Sequence, residues 1–181
     1  MNLLKEFNES LTIDEYENFL GDQLPLHQLH YGKADTGEYL TEDIPELKLL
    51  VITEPWCGDS TAILPVLLKL FEDKPVEFRV ALRDQNTDLI DRFLTRGGRA
   101  IPIILILDSD GEFLTRFGPR PKNVQEIYEL YRPDIQSGKI EKIEVSKKIR
   151  NFYAKDRGKS ILDEFTHMLN MIIAENMEIN A

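Results

Sequence analysis

The run Leu47–Thr53 consists almost entirely of apolar residues and ends just before Pro55. A strand with apolar side chains on both sides of its pleat is buried on both faces, so other elements must cover each face. A helical pattern begins directly afterwards, near Cys57, and Val76–Leu82 then alternates as a strand does. This strand–helix–strand order predicts a parallel βαβ unit at the centre of an α/β domain.

The next part of the chain predicts a hairpin. Ile103–Leu107 is a second apolar, β-branched run, Asp108–Gly111 has the composition of a tight turn, and Phe113–Phe117 supplies the returning strand. A helix is predicted before this hairpin, beginning at Asn86 or Thr87 and ending at Gly97, and another helical pattern follows it. The predicted fold class is therefore α/β, with a mixed sheet of one parallel βαβ unit and one antiparallel β-hairpin, flanked by helices.

The length of 181 residues fits a single domain over residues 1–181. Its core is predicted at about residues 45–131, between an N-terminal helical extension at residues 1–44 and a C-terminal helical extension at residues 132–181.

Both extensions contain helical patterns. Thr12 and Glu15 have the spacing of a capping box, which predicts a helix that ends before Gly21. In the C-terminal extension one apolar stripe has helical spacing: Ile161, Phe165, Met168, Leu169, Ile172 and Ile173. The stripe either packs on the protein's own core or forms a partner surface, which leaves a dimer through this helix possible and the oligomeric state open.

Composition excludes several classes of function. The 22 Lys and Arg residues against 32 Asp and Glu give a net charge of −10, which argues against binding to nucleic acid or to an anionic membrane. The chain has no apolar run of the roughly 20 residues that a membrane helix needs, and its first residues do not resemble a secretory signal. A single cysteine excludes an internal disulfide and favours a cytoplasmic location. The sequence predicts neither a metal site nor a cofactor.

The single cysteine, Cys57, follows the buried strand at the start of a helix. Unsatisfied backbone N–H groups and the positive end of the helix dipole favour a thiolate at this position, and a thiolate is the nucleophilic form. The alternative is a structural cysteine that packs as a small apolar side chain.

Four segments in register resemble the thioredoxin superfamily. They are the strand Leu49–Thr53, the motif Trp56-Cys57-Gly58-x-Ser60, the segment Arg99-Ala100-Ile101-Pro102, and Gly118 after the last strand. Thioredoxins have Trp-Cys-Gly-Pro-Cys, an Ile-Pro peptide in the cis form, and a glycine at these places. The resemblance covers about residues 45–131 and implies a thioredoxin-like fold.

The resemblance also implies roles for individual residues. Cys57 matches the attacking thiol, and Pro102 matches the cis-proline beside which an extended substrate binds. The residues that match the apolar substrate-binding rim around the sulfur are Trp56, Ala100, Ile101 and Gly118.

Three of the departures from the thioredoxin pattern affect the chemistry of the candidate site. Ser60 replaces the resolving cysteine, so no internal disulfide can form, although its hydroxyl can donate a hydrogen bond to the Cys57 thiolate. Asp59 replaces the motif proline and opposes the thiolate by charge repulsion. Val51 occupies the place of the family's buried acid, which assists proton transfer in disulfide exchange.

The motif Cys-Gly-Asp-Ser is also similar to the Cys-Gly-Phe-Ser of monothiol glutaredoxins, which hold a low-molecular-weight thiol. By this similarity Arg83, Arg99 and Arg120 are candidate contacts for the carboxylates of such a thiol.

Two functions remain. In the first, the protein is a monothiol thiol–disulfide oxidoreductase with Cys57 and Ser60 as catalytic residues, acting on a protein disulfide or a low-molecular-weight thiol substrate, and an external thiol resolves the product. In the second, it is a non-catalytic, thioredoxin-like module that binds a protein partner. The retained cysteine favours the first function, whereas Ser60 and Val51 favour the second.

Overall fold

A computed structural model describes residues 1–37, 39–40 and 44–179. Residues 38, 41–43 and 180–181 of the two predicted extensions lie outside this description. Side chains are described up to residue 175.

Four strands form one sheet, in the order β2-β1-β3-β4. They are β1 (Leu47–Thr53), β2 (Val76–Leu82), β3 (Ile103–Asp108) and β4 (Phe113–Phe117). β1 is parallel to β2, whereas β3 is antiparallel to both β1 and β4. The structure thus confirms the predicted mixed sheet, with a βαβ unit followed by a hairpin.

Helices cover both faces of this sheet. In chain order they are α1 (Leu4–Glu9), α2 (Ile13–Glu17), α3 (Leu24–Lys33), α4 (Gly58–Leu70), α5 (Thr87–Ile90), α6 (Lys122–Gln136), α7 (Lys142–Asp156) and α8 (Lys159–Ile179). None of these helices, in the described part of the chain, is both long and apolar enough to cross a membrane.

The side chains of β1 alternate between two apolar clusters. Leu49 and Val51 belong to the larger cluster, together with α4, α7 and α8, while Leu50 and Ile52 belong to a smaller cluster on the other face. All four are fully buried. Burial on both faces explains why β1 is apolar without alternation.

The first helix, α1, was not predicted. Its Phe7 and the preceding Leu3 are fully buried in the smaller cluster. The Leu3 N–H donates to the Gly111 carbonyl at 2.8 Å, which ties the N-terminus to the hairpin turn. Gly111 has φ +83°, and an added Cβ would lie 2.6 Å from the Leu4 Cβ, so the turn needs glycine there.

The capping box of Thr12 and Glu15 is present at the start of α2. In contrast, the helix predicted from Asn86 to Gly97 is wrong in length. The segment forms the single turn α5 and then a 3₁₀ turn over Asp91–Phe93. The Phe93 side chain packs against Phe113 of β4 with 5.3 Å between ring centroids, and this tertiary contact accompanies the early end of the helix.

The apolar stripe of α8 packs on the protein's own core in its first half. Ile161, Phe165 and Leu169 are buried in the larger cluster. The Phe165 ring meets Phe117 of β4 edge-on at 5.5 Å and Phe71 at 5.9 Å. A dimer through this helix stays a prediction.

Candidate active site at Cys57

Cys57 lies between β1 and α4, at the N-cap position of the helix. Its backbone N–H donates to the Glu54 carbonyl at 3.0 Å, which fixes the turn after the strand. The residue is 6% exposed, and its Sγ donates to the Ile101 carbonyl at 3.6 Å. The thiol therefore lies against the loop that the sequence analysis assigned to substrate binding.

Burial raises the pKa of the Cys57 thiol above its ordinary value, and the nearby Asp59 carboxylate raises it further. Hydrogen bonds from the Ser60 hydroxyl and from the backbone N–H groups of Ser60 and Asp59 act in the opposite direction but do not compensate. The sequence alone left the sign of this balance open. The environment of Cys57 therefore favours the uncharged thiol over the thiolate.

The loop facing Cys57 contains the Ile101–Pro102 peptide bond, which is cis. Gly118 adopts φ +111°, and a Cβ there would collide with the Pro102 carbonyl oxygen. The glycine therefore allows the end of β4 to approach the proline loop closely. The next peptide bond, Gly118–Pro119, is also cis.

Ser60 is 1% exposed and lies in the first turn of α4. Its hydroxyl shares a hydrogen bond with the hydroxyl of Thr53, the last residue of β1, and it lowers the pKa of the Cys57 thiol. The Ser60 hydroxyl is thus anchored to the end of β1, and its role as a catalytic residue stays a prediction.

The side chain of Asp59 is 11% exposed and has two partners from distant parts of the chain. Arg120 pairs with its Oδ2 at 2.9 Å, and the Tyr153 hydroxyl donates to its Oδ1 at 3.0 Å. Burial raises the pKa of Asp59, while Arg120 and Tyr153 favour the charged form. The sequence indicates Asp59 only as a repelling charge and contains no signal for the contact with Tyr153.

The candidate site opens into a groove with a volume of about 1060 Å³, called the thiol groove below. Of the predicted site residues, the groove is lined by Trp56, Cys57, Ala100, Ile101 and Gly118, while Ser60 and Pro102 lie buried behind it. The opposite wall is formed by α6 and α7 and was not predicted.

Trp56 is 62% exposed at the edge of the thiol groove. The Arg83 guanidinium lies 5.1 Å from the centre of its ring. Arg83, Arg99 and Arg120, the predicted cationic contacts, all line the groove. Within the described residues, no group of three or more His, Cys, Asp and Glu side chains is placed to hold a metal ion.

Comparisons with known proteins agree with this architecture. A thioredoxin family model matches residues 33–136, which is more than half of the chain. A search of curated proteins gives no match. Among solved structures, a protein of unknown function from Pseudomonas aeruginosa is similar with a TM-score of 0.62 and 20% identity, covering 91% of this chain and 98% of that one. An HIV epitope scaffold is similar with a TM-score of 0.62 and 18% identity, over the same shares of the two chains. The chain has the thioredoxin-like fold and belongs to the thioredoxin family.

Proposed function

We propose that this protein is a monothiol thiol–disulfide oxidoreductase with Cys57 as its nucleophile. The observation that carries the proposal is the contact between the Cys57 Sγ and the carbonyl of Ile101 at 3.6 Å. It brings the sulfur to the backbone beside which the family binds its extended substrates. Ser60, in the place of a resolving cysteine, supports a one-thiol mechanism.

The reaction has two exchange steps. Cys57 loses its proton to solvent, and the thiolate attacks one sulfur of a substrate disulfide. The substrate S–S bond breaks, a Cys57 mixed disulfide forms, and the departing thiolate takes up a proton. An external thiol then attacks the mixed disulfide at the substrate sulfur, which regenerates Cys57 and leaves the substrate half bound to the external thiol. A second external thiol attacks the sulfur of the first, so that the second substrate thiol is released and the two external thiols leave as a disulfide. The two external thiols supply both electrons, as the thiols of a reducing cytoplasm would.

Three features help the attack by Cys57. The backbone N–H groups of Asp59 and Ser60 and the Ser60 hydroxyl stabilise the thiolate, and the N-terminus of α4 adds its dipole. Because burial opposes them, ionisation is the demanding part of the first step.

A second candidate function is a non-catalytic module that binds a protein partner at the Trp56 rim. The raised pKa of Cys57 and its 6% exposure favour this alternative, because both slow a nucleophile. The exposed ring of Trp56 supplies apolar contact area for such a partner.

Turnover distinguishes the two functions. Reduction of a disulfide substrate is measured with and without an excess of a small thiol, for the wild type and for Cys57→Ser. We expect little catalysis without the small thiol, a clear rate above background with it, and background alone for Cys57→Ser. Equal rates for the wild type and Cys57→Ser would favour the binding module.

A further inference from the structure

Basic residues are concentrated in the thiol groove although the chain is acidic. The groove is lined by only three carboxylates, Asp59, Glu126 and Glu129, from a chain with 32 Asp and Glu residues and 22 Lys and Arg residues. An even distribution would place more acids than bases along any groove. Eight basic residues line it instead: Arg83, Arg96, Arg99, Arg120, Lys122, Arg132, Lys142 and Arg150.

Some of these cations are already paired. The pairs are Arg83 with Asp84, Arg99 with Asp91, Arg120 with Asp59, and both Arg96 and Arg132 with Glu129. Lys122, Lys142 and Arg150 form no ion pair with any residue in the described part of the chain. Pairing within the protein therefore leaves a positive charge in the groove.

One of the unpaired cations, Arg150, lies close to Cys57. The Arg150 Nε is 3.8 Å from the position that a Cβ on Gly58 would take, so its guanidinium lies beside the residue that follows Cys57. Lys142 and Arg150 are eight residues apart on α7, which places them on one face of the helix, and both line the groove. The C-terminal extension thus contributes positive charge next to the thiol.

We infer that the disulfide that Cys57 attacks is a low-molecular-weight compound with carboxylates close to its sulfurs. This inference rests on the proposed function and specifies its substrate. The carboxylates would pair with Arg150, Lys142 and Lys122, and Arg150 would also stabilise the negative charge on the departing sulfur. A compact substrate suits a thiol that is 6% exposed at the base of a groove whose far wall is α6 and α7.

Three dialkyl disulfides of similar size test the inference: dithiodipropionate with two negative charges, hydroxyethyl disulfide with none, and cystamine with two positive charges. The rate of mixed-disulfide formation on Cys57 is measured for each by mass spectrometry. It is divided by the rate of the same probe with mercaptoethanol, which corrects for intrinsic reactivity. We expect dithiodipropionate to react fastest and cystamine slowest, with a difference of about tenfold at low salt that shrinks as salt screens the charges.

A charge reversal on α7 locates the effect. The double variant Lys142→Glu with Arg150→Glu should lose the preference for dithiodipropionate and gain reactivity with cystamine. The matched control is Lys147→Glu with Lys155→Glu, which makes the same charge change on α7 outside the groove and should keep the order of the three probes.

The possible failures are distinct. If no probe reacts with the wild type above the level of Cys57→Ser, the proposed function itself is refuted. If all three corrected rates are equal, Cys57 is a nucleophile but the inferred substrate is wrong. A disulfide on an acidic peptide can be compared in the same way with one on a neutral peptide. If the acidic peptide reacts faster while the three small probes show no charge preference, the substrate is a protein segment and the inference of a small compound is overturned.

Discussion

Replacement of Tyr153 by phenylalanine tests whether the C-terminal extension supports the candidate site. Tyr153 is 1% exposed, and its hydroxyl donates to Asp59 at 3.0 Å. Tyr153→Phe keeps the ring in the core but removes one of the donors to a buried carboxylate. Hydrogen bonds to charged groups contribute about 1.5–3 kcal/mol, so the free energy of unfolding should fall by about that amount while Asp59 is ionised.

The loss should depend on pH. Burial raises the pKa of Asp59 in the folded state, so the folded chain keeps a proton that the unfolded chain releases above about pH 3.9. The contribution of protonated Asp59 to the free energy of unfolding is therefore present at low pH and is lost as pH rises through the folded-state pKa of this carboxyl. Loss of the Tyr153 donor raises that pKa further, so the penalty of Tyr153→Phe should be larger at high pH than at low pH.

Urea unfolding of the wild type and Tyr153→Phe at about pH 5 and about pH 8 measures both effects. Tyr131→Phe is the matched control, because Tyr131 is half-buried on α6 and its hydroxyl bonds to no residue in the described part of the chain. A penalty below about 0.5 kcal/mol at the higher pH, or one equal to that of Tyr131→Phe, would refute the argument that Tyr153 stabilises a buried charge.

Three further predictions follow from the same structure. Because burial raises the pKa of the Cys57 thiol, the rate of its alkylation by iodoacetamide should still rise above about pH 8.5. Asp59→Asn should move the midpoint of this rate profile to lower pH, because it removes a like charge. A wild-type midpoint below that of a free thiol would contradict this prediction. Gly118→Ala should lower the free energy of unfolding by about 1–3 kcal/mol or more in urea, and slow disulfide reduction, because the new Cβ meets the Pro102 carbonyl at a positive φ; unchanged stability would be a refutation. Burial lowers the pKa of His27 to about 4, so the unfolded chain binds a proton first, and stability should fall by up to about 3 kcal/mol as pH drops from about 6.5 to 4. The urea midpoint of His27→Gln should respond less to pH across this range than that of the wild type.

The sheet could be predicted from the sequence because each of its strands and turns is determined by residues that are close together in the chain. The apolar run of β1, the alternation of β2 and the turn residues at Asp108–Gly111 each determine one element within a few positions. The motif around Cys57 and the segment ending at Pro102 both match the thioredoxin pattern, and this match predicted which loop faces the sulfur. In the structure the Cys57 Sγ lies 3.6 Å from the carbonyl of Ile101, the residue before Pro102.

The rest of the site depends on contacts between distant parts of the chain. Asp59 is separated from Arg120 by 61 positions and from Tyr153 by 94, and no pattern within a single helix reveals that these side chains meet. The wall formed by α7 has the same origin, because it exists only once the C-terminal extension packs beside α4. The sign of the pKa shift of Cys57 also depends on burial, which the sequence does not give.

The central claim is that Cys57 forms a mixed disulfide that only an external thiol resolves. The most direct test is the intact mass of the wild-type protein after incubation with a small mixed-disulfide probe. Because the chain contains a single cysteine, any disulfide adduct reports on Cys57 alone. We predict one adduct per chain, stable until a small thiol is added and then lost. Absence of an adduct under conditions in which mercaptoethanol reacts with the same probe would contradict the account.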